Sequence, residues 1–240
     1  MTQLYDIIKA LQEEYKHESI VPVIGAGFSM PFSLPNWSNL LLAICKEFHL
    51  ENHQIEAIKD FCENGDYIRA VDMLVGFTKG EKTEKDIQLY VAKIISEKLK
   101  ALKQSLNVDS LRESKIPNNY VDIFKHNFKT ILTLNYDEIL ADYASNGYSQ
   151  NTITDFKNPQ EIGKEKNVFY VHGRVSEPES IILAKANYSE VYSDNNFRRM
   201  FSALTLNRTF LFLGFSFQDD YIKKFLETAC GALQVNLHCV

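Results

Sequence analysis

The chain opens on a helical pattern. Leu4, Ile7, Ile8, Leu11 and Tyr15 recur at three- and four-residue steps, with Thr2 placed to serve as an N-cap. The run Ile20 to Ile24 reads as a buried strand and ends in Gly25-Ala26-Gly27. No helix follows at once: two prolines, a serine and a tryptophan intervene before Ser38, which can cap a helix through Phe48. From there to about Phe128 the apolar residues keep helical spacing, most clearly in "YIRAVDMLVGF" and in the long segment Glu84 to Leu102.

Beyond Phe128 short apolar runs alternate with helical patterns. "TILTLNY" precedes a helix from Asp137 to Ser145; "NVFYVHG" precedes a loop and the run "IILAK"; a helix from Tyr188 to Leu206 precedes "TFLFLGF"; and a helix from Asp219 to Cys230 precedes "VNLHCV". Continuous apolar strands separated by helices predict a parallel sheet covered on both faces. The first strand must join that sheet, since alone it has nothing to pair with. The predicted fold is therefore α/β, a Rossmann-like parallel sheet with helices on both faces and a helical insertion after the first strand. Residues 1–240 form one domain in this reading, with a core at 1–37 and 129–240 and the insertion at about 38–128. The chain stops on a strand-like run, so we expect it to be one part of a longer protein.

Composition narrows the function. With 240 residues, 45% of them hydrophobic, the chain can bury a sizeable core. The net charge of −5 and the lack of a clustered basic face argue against nucleic-acid binding. No segment approaches the roughly 20 apolar residues of a membrane span, and the N-terminus has no signal-peptide layout, which predicts a cytoplasmic protein. Cys45, Cys62, Cys230 and Cys239 are scattered without a C-x-x-C pair, so they read as buried free thiols rather than as zinc ligands or a disulfide framework.

The chemistry collects at the strand ends. A strand closing in Gly-x-Gly lets the backbone approach a phosphate, but the dehydrogenase fingerprint fails because Met30 stands where its third glycine belongs, and no Walker Gly-Lys-Ser/Thr occurs. In a parallel sheet, ligands sit outside the carboxyl ends of the strands. Four predicted strand ends carry Gly25-Ala26-Gly27, Asn135-Tyr136-Asp137, His172-Gly173 and Gly214-Phe215-Ser216. One crevice would thus gather an asparagine, an aspartate, a histidine and two glycine bends. Each has a blander use: Asp137 and Asp219 can be N-caps, Trp37 can pack its loop, and a histidine after a strand is commonly structural. His17, His49, His53, His126 and His238 belong to no constellation.

"GAGFS" with "LPNW", then "LTLNYD", "YVHG" and "FLGFSFQDD", occur in an order and spacing that resembles the Sir2 (sirtuin) superfamily, in particular its bacterial Sir2-like NAD-hydrolase branch. The resemblance implies NAD as substrate, with Gly25, Ala26, Gly27 and Ser29 at the pyrophosphate and Asn36 and Trp37 as further cofactor-side residues. It places Asn135 and Asp137 beside the nicotinamide ribose, His172 as catalytic histidine, and Gly214, Ser216 and Asp219 on the adenosine side. Departures select among activities. The deacylases of this superfamily carry four zinc-binding cysteines after the His-Gly motif, whereas no cysteine lies between His172 and Gly214, so no metal is expected. Nor does an Asp-Phe-Arg follow the proline: Pro35 leads into Asn36-Trp37.

The resemblance therefore implies an NAD+ hydrolase that yields ADP-ribose and nicotinamide, kept latent until a partner protein, a fused domain or homo-oligomerisation triggers it, as an effector of bacterial anti-phage defence. A non-catalytic nucleotide-sensing or assembly module, and an NAD-dependent deacylase or ADP-ribosyltransferase, stay open as alternatives. His172 would serve as base near neutral pH, Asn135 would hold a water or a ribose hydroxyl, and Asp137 would orient the ribose or stabilise developing charge. Asn135 and His172 are expected to project into a solvent-filled crevice.

Overall fold

A computed structural model describes residues 2–144, 147–152, 165–206, 208–214 and 237–239. Six parallel strands form one sheet in the order β3-β4-β2-β1-β5-β6, where β1 is Ile20–Ile24, β2 Thr130–Thr133, β3 Tyr148–Thr152, β4 Lys166–Tyr170, β5 Thr209–Leu213 and β6 Leu237–Cys239. The first strand lies inside the sheet, paired with β5 along all five residues and with β2 only at Val23 and Ile24. Pro22 offers no N–H to a neighbour, and the ladder to β2 begins just past it.

The alternation of side chains along the strands builds two apolar layers. On one face Val21, Val23, Leu132, Phe169, Phe210 and Phe212 meet Tyr188 and Tyr192 of α8 (Lys185–Ser193) and Phe197 and Phe201 of α9 (Asn195–Thr205). On the other, Ile24, Ile131, Val168 and Tyr170 meet Tyr120 and Ile123 of α6 (Tyr120–Lys125) and Leu140 and Tyr143 of α7 (Ile139–Tyr143). Full burial of each large side chain contributes about 1.5–3 kcal/mol, so these layers fix the sheet between its helices. This is the α/β, Rossmann-like arrangement that the alternation of apolar runs predicts.

Between β1 and β2, besides α6, stand four helices: α2 (Trp37–Glu47), α3 (Asn52–Glu63), α4 (Tyr67–Phe77) and α5 (Glu84–Leu106); α1 (Thr2–Lys16) opens the chain. They share a core of Leu41, Ile44, Ile58, Val71, Leu74, Ile87 and Val91, which also takes in Tyr136, Val175, Ile181 and Leu183 from the strand-end loops. The helical block is thereby packed directly on the segments that carry the candidate site. Cys45 and Cys62 are buried free thiols within it. Among the described residues no helix is long and apolar enough to cross a membrane.

Several local expectations are corrected. Asn36, not Ser38, caps α2, its side chain accepting from the Asn39 N–H at 2.9 Å. The run Tyr188 to Leu206 is two helices, because Asp194 ends α8 and its carboxylate caps α9 by accepting from the Phe197 N–H at 2.8 Å. The helix expected from Asp137 starts only at Ile139. "IILAK" is not a strand: Ile181 and Leu183 point into the helical core and Ile182 into the α8/α9 layer, so the segment is apolar because it plugs two cores. Conversely, the polar run Tyr148–Thr152 is the edge strand β3, which an apolar pattern does not reveal. The helix expected at Asp219 to Cys230 lies outside the described residues.

Candidate active site

The sheet reverses its strand order at β1, whose chain leaves toward β2 on one side while β5 returns on the other. A crevice opens at such a switch point, outside the carboxyl ends. Here the two glycine bends meet face to face. The Gly25 N–H donates to the Leu213 carbonyl at 2.9 Å and the Gly27 N–H to the Gly214 carbonyl at 2.8 Å. A Cβ on Gly27 would stand 2.9 Å from Gly214 Cα, and Gly214 has φ +63. The glycines are therefore required by the close approach of two backbones. Phe28 and Ser29 also donate their N–H groups inward, to the Gly25 and Ala26 carbonyls. The sequence suggested amides turned toward a phosphate; four of the amides in residues 25–29 are instead spent on the protein itself.

Below this turn a polar cluster is assembled from three segments. Asn135, just past β2, donates from Nδ2 to the Gly25 carbonyl and to Ser29 Oγ, both at 3.1 Å. The Gly25 carbonyl can only accept, which fixes the amide's orientation. Ser29 Oγ in turn donates to Asp137 Oδ2 at 2.8 Å and lies 2.9 Å from the Tyr120 hydroxyl. Asp137 Oδ1 accepts from the Ile139 N–H at 3.2 Å, which begins α7. Burial pushes the Asp137 carboxyl up to about 6, against the pull of the Ser29 and Ile139 donors. Among the described residues no hydrogen bond reaches Asn135 Oδ1, which leaves that oxygen available as an acceptor.

His172 emerges beside Asn135. Thr133 and Tyr170 are paired in register and the Val171 N–H donates to the Thr133 carbonyl, so the two residues leave adjacent strands at one level. Their contacts diverge from there. His172 Nε2 shares a 3.0 Å hydrogen bond with the Tyr192 hydroxyl, and Tyr188 meets the ring edge-on at 5.3 Å. The structure thus joins Gly25, Ser29, Asn135 and Asp137 through one hydrogen-bonded cluster and holds His172 in a second, on the α8 side.

Asn135 and His172 do not project into open solvent as the sequence suggested, and Ser29 and Asp137 are buried beside them. Ser29, Asn135, Asp137 and His172 are 4%, 9%, 6% and 3% exposed. Asn36 is exposed but spent on capping α2, and Trp37 is stacked on Tyr67 at 6.0 Å and met edge-on by Tyr136 at 5.6 Å, which accounts for its place in the helical core. Ala26 is exposed at the turn, while Ser216 and Asp219 lie outside the described residues. A groove of about 900 Å³ opens elsewhere, between α5 and α7 and lined by Leu99, Lys103, Leu111, Ile139 and Asp142. Tyr120 and Tyr192, which touch the two clusters, were not singled out by the sequence. Tyr120 reads there only as an apolar helix position, and Tyr192 as one aromatic among several in a helical run.

The family model of the SIR2-like domain matches residues 129–235. The chain is 24% identical over 244 residues to the NAD(+) hydrolase ThsA of Bacillus cereus (strain MSX-D12), an overlap that takes in 97% of this chain and 45% of that protein. To the NAD(+) hydrolase ThsA of Acinetobacter baumannii (strain 532279) it is 25% identical over 230 residues, 90% of this chain and 41% of the relative. To that of Enterococcus faecium it is 26% identical over 132 residues, 52% and 27% of the two chains. The chain spans less than half the length of the curated relatives it matches. The family match begins at the strand that leads to Asn135, so residues 129–235 are similar to the SIR2-like domain, and relatives of one kind align along nearly the whole chain.

Proposed function

We propose that residues 1–240 act as one Sir2-like domain that hydrolyses NAD+ at the nicotinamide–ribose bond. The observation that carries this is the Asn135–Ser29–Asp137 cluster beneath the paired glycine bends, at the switch point of a parallel sheet. The names of the aligned relatives point the same way.

As nicotinamide leaves, positive charge develops on the ribose, and the departing ring, already cationic, needs no acid. Asp137, with its carboxyl at about 6, is largely ionised at neutral pH, and its charge in a buried site is poorly screened. It lowers the barrier by stabilising that developing cation. Asn135 offers Oδ1 to a ribose hydroxyl or the attacking water. His172 takes the water's proton, so that NAD+ and H2O give ADP-ribose, nicotinamide and a proton. Tyr192 holds the imidazole in place for this transfer. No step draws on a metal.

Burial of all four polar side chains supports a latent enzyme: NAD+ must widen the crevice before it can reach them. The packing of the helical block on Tyr136, Ile181 and Leu183 offers a route by which a partner, a fused domain or self-assembly could do so, in keeping with a role as a defence effector. The test is cleavage in H2¹⁸O. Label in ADP-ribose, released with equimolar nicotinamide, is the expected result. Label-free transfer to an added protein would instead make the chain a transferase, and tight NAD+ binding with no nicotinamide under any assembly state would make it a sensor.

A further inference from the structure

Tyr120 is a buried hydroxyl that the proposed chemistry leaves unused. It lies on α6, outside the motifs, and its ring is clamped: stacked on Tyr143 at 5.4 Å, met edge-on by Phe28 at 5.4 Å, and tilted against Phe32 at 6.0 Å. Its own N–H is held by Asn118 Oδ1 at 3.0 Å. Such anchoring aims the phenol at the Ser29–Asn135 pair, with its oxygen 2.9 Å from Ser29 Oγ and the Asn135 side chain also within its reach.

Counting donors and acceptors at Ser29 decides what that contact does. A serine hydroxyl has one proton to donate and two lone pairs. The proton goes to Asp137 Oδ2, because a carboxylate is the stronger acceptor, and one lone pair takes the Asn135 Nδ2 proton. Only the second lone pair remains, so Tyr120 must be the donor. Ser29 is then saturated, with an incoming proton from each of Tyr120 and Asn135 strengthening the one it gives away. Burial and the nearby Asp137 charge hold the phenol well above its ordinary range, so it stays a donor at every working pH.

We propose that Tyr120 is a positioning residue which, acting through Ser29, holds the Asp137 carboxylate in its ionised form and the Asn135 amide in its orientation. The inference rests on the reading of Asp137 and Asn135 given above. It also marks out the rest of Asp137's surroundings. Tyr170 from β4 lies near enough to sense its charge, and Glu138, next in the chain, pushes it toward neutrality while itself facing Arg174 at 3.7 Å. Among the described residues no cation directly pairs with Asp137, so its ionisation depends on donated hydrogen bonds.

The test compares wild type, Tyr120→Phe, Ser29→Ala and the double variant. Phenylalanine keeps the ring stack and removes only the donor. The pH midpoint of the Asp137 transition is read from unfolding free energy between pH 4 and 8, without NAD+; the acid limb of kcat for nicotinamide release is read separately. Tyr120→Phe is expected to move both upward by about half a pH unit, cutting kcat about twofold at pH 6 while restoring it above pH 8. Ser29→Ala should move the midpoint further, and adding Tyr120→Phe to it should move it no more, because the tyrosine acts through the serine. A midpoint unmoved by Tyr120→Phe, shifts that simply add, or an equal loss of kcat at every pH would overturn the proposal. A wild type that releases no nicotinamide yet shows the expected midpoint shifts would reject the catalytic reading and keep the relay.

Discussion

Replacing Asp137 by Asn should change how stability depends on pH, and by an amount that the structure sets. The carboxyl is pushed from 3.8 to about 6 by burial, so in the folded chain it keeps a proton over a window in which the unfolded chain has lost it. The sign follows from linkage: where the native state binds more protons, stability falls as pH rises. Well below pH 4 both states are protonated and the group contributes nothing; well above pH 6 the full cost is present. At about 1.4 kcal/mol per pH unit this cost is on the order of 3 kcal/mol. Asn cannot ionise and escapes it. The amide has one acceptor where the carboxylate had two, so either the Ser29 hydroxyl or the Ile139 N–H loses a partner, an offset of about 1–3 kcal/mol that does not vary with pH. Urea unfolding at steps from pH 4 to 8 should therefore show the stability of Asp137→Asn, relative to wild type, rising by about 3 kcal/mol across the window and then levelling. A relative stability that stays flat within 1 kcal/mol would refute the buried, proton-retaining carboxyl. The same variant should lose most nicotinamide release at pH 7.5, where wild type is ionised.

Other outcomes follow from the same contacts. Gly27→Ala should cost about 1–3 kcal/mol, seen as a drop in Tm of several degrees, because its Cβ would lie 2.9 Å from the Gly214 backbone; an unchanged Tm would mean that the two bends do not meet. Tyr192→Phe should lower kcat for nicotinamide release about tenfold with KM for NAD+ little changed, since it removes the hydroxyl on His172 Nε2; a change confined to KM would assign Tyr192 to binding instead. Cys45, whose thiol burial raises to about 11, should resist alkylation at pH 8 in the native state and react only on unfolding; rapid native labelling would place it at the surface.

What the sequence discloses here is the set of strand ends, and what it conceals is the direction in which their side chains are tied. Apolar runs followed by a glycine, Asn135 or His172 reveal β1, β2, β4 and β5, because buried parallel strands must be apolar on both faces. The edge strand Tyr148–Thr152 escapes that rule since it needs no second covered neighbour, and "IILAK" imitates it by plugging two cores from a loop. At the site, motif order brings Gly25, Asn135 and Asp137 to one place, yet pattern alone cannot tell that Gly27 faces Gly214 rather than a ligand, or that His172 turns toward Tyr192. Tyr120 is the clearest case. A tyrosine at an apolar helix position carries no sequence mark of where its hydroxyl points, and only packing against Phe28, Phe32 and Tyr143 determines it.

The central claim is that the cluster under the glycine bends cleaves NAD+. Its most direct test is the rate of nicotinamide and ADP-ribose formation by the full chain and by Asn135→Ala, each checked for an intact melting transition and assayed alone and assembled. Asn135 is buried and bonded to Gly25 and Ser29, so some loss of stability is expected, about 1–3 kcal/mol, with the fold retained. The account predicts equimolar products from the wild type and a fall of at least about a hundredfold in the folded variant. A folded Asn135→Ala chain that releases nicotinamide at the wild-type rate would contradict it.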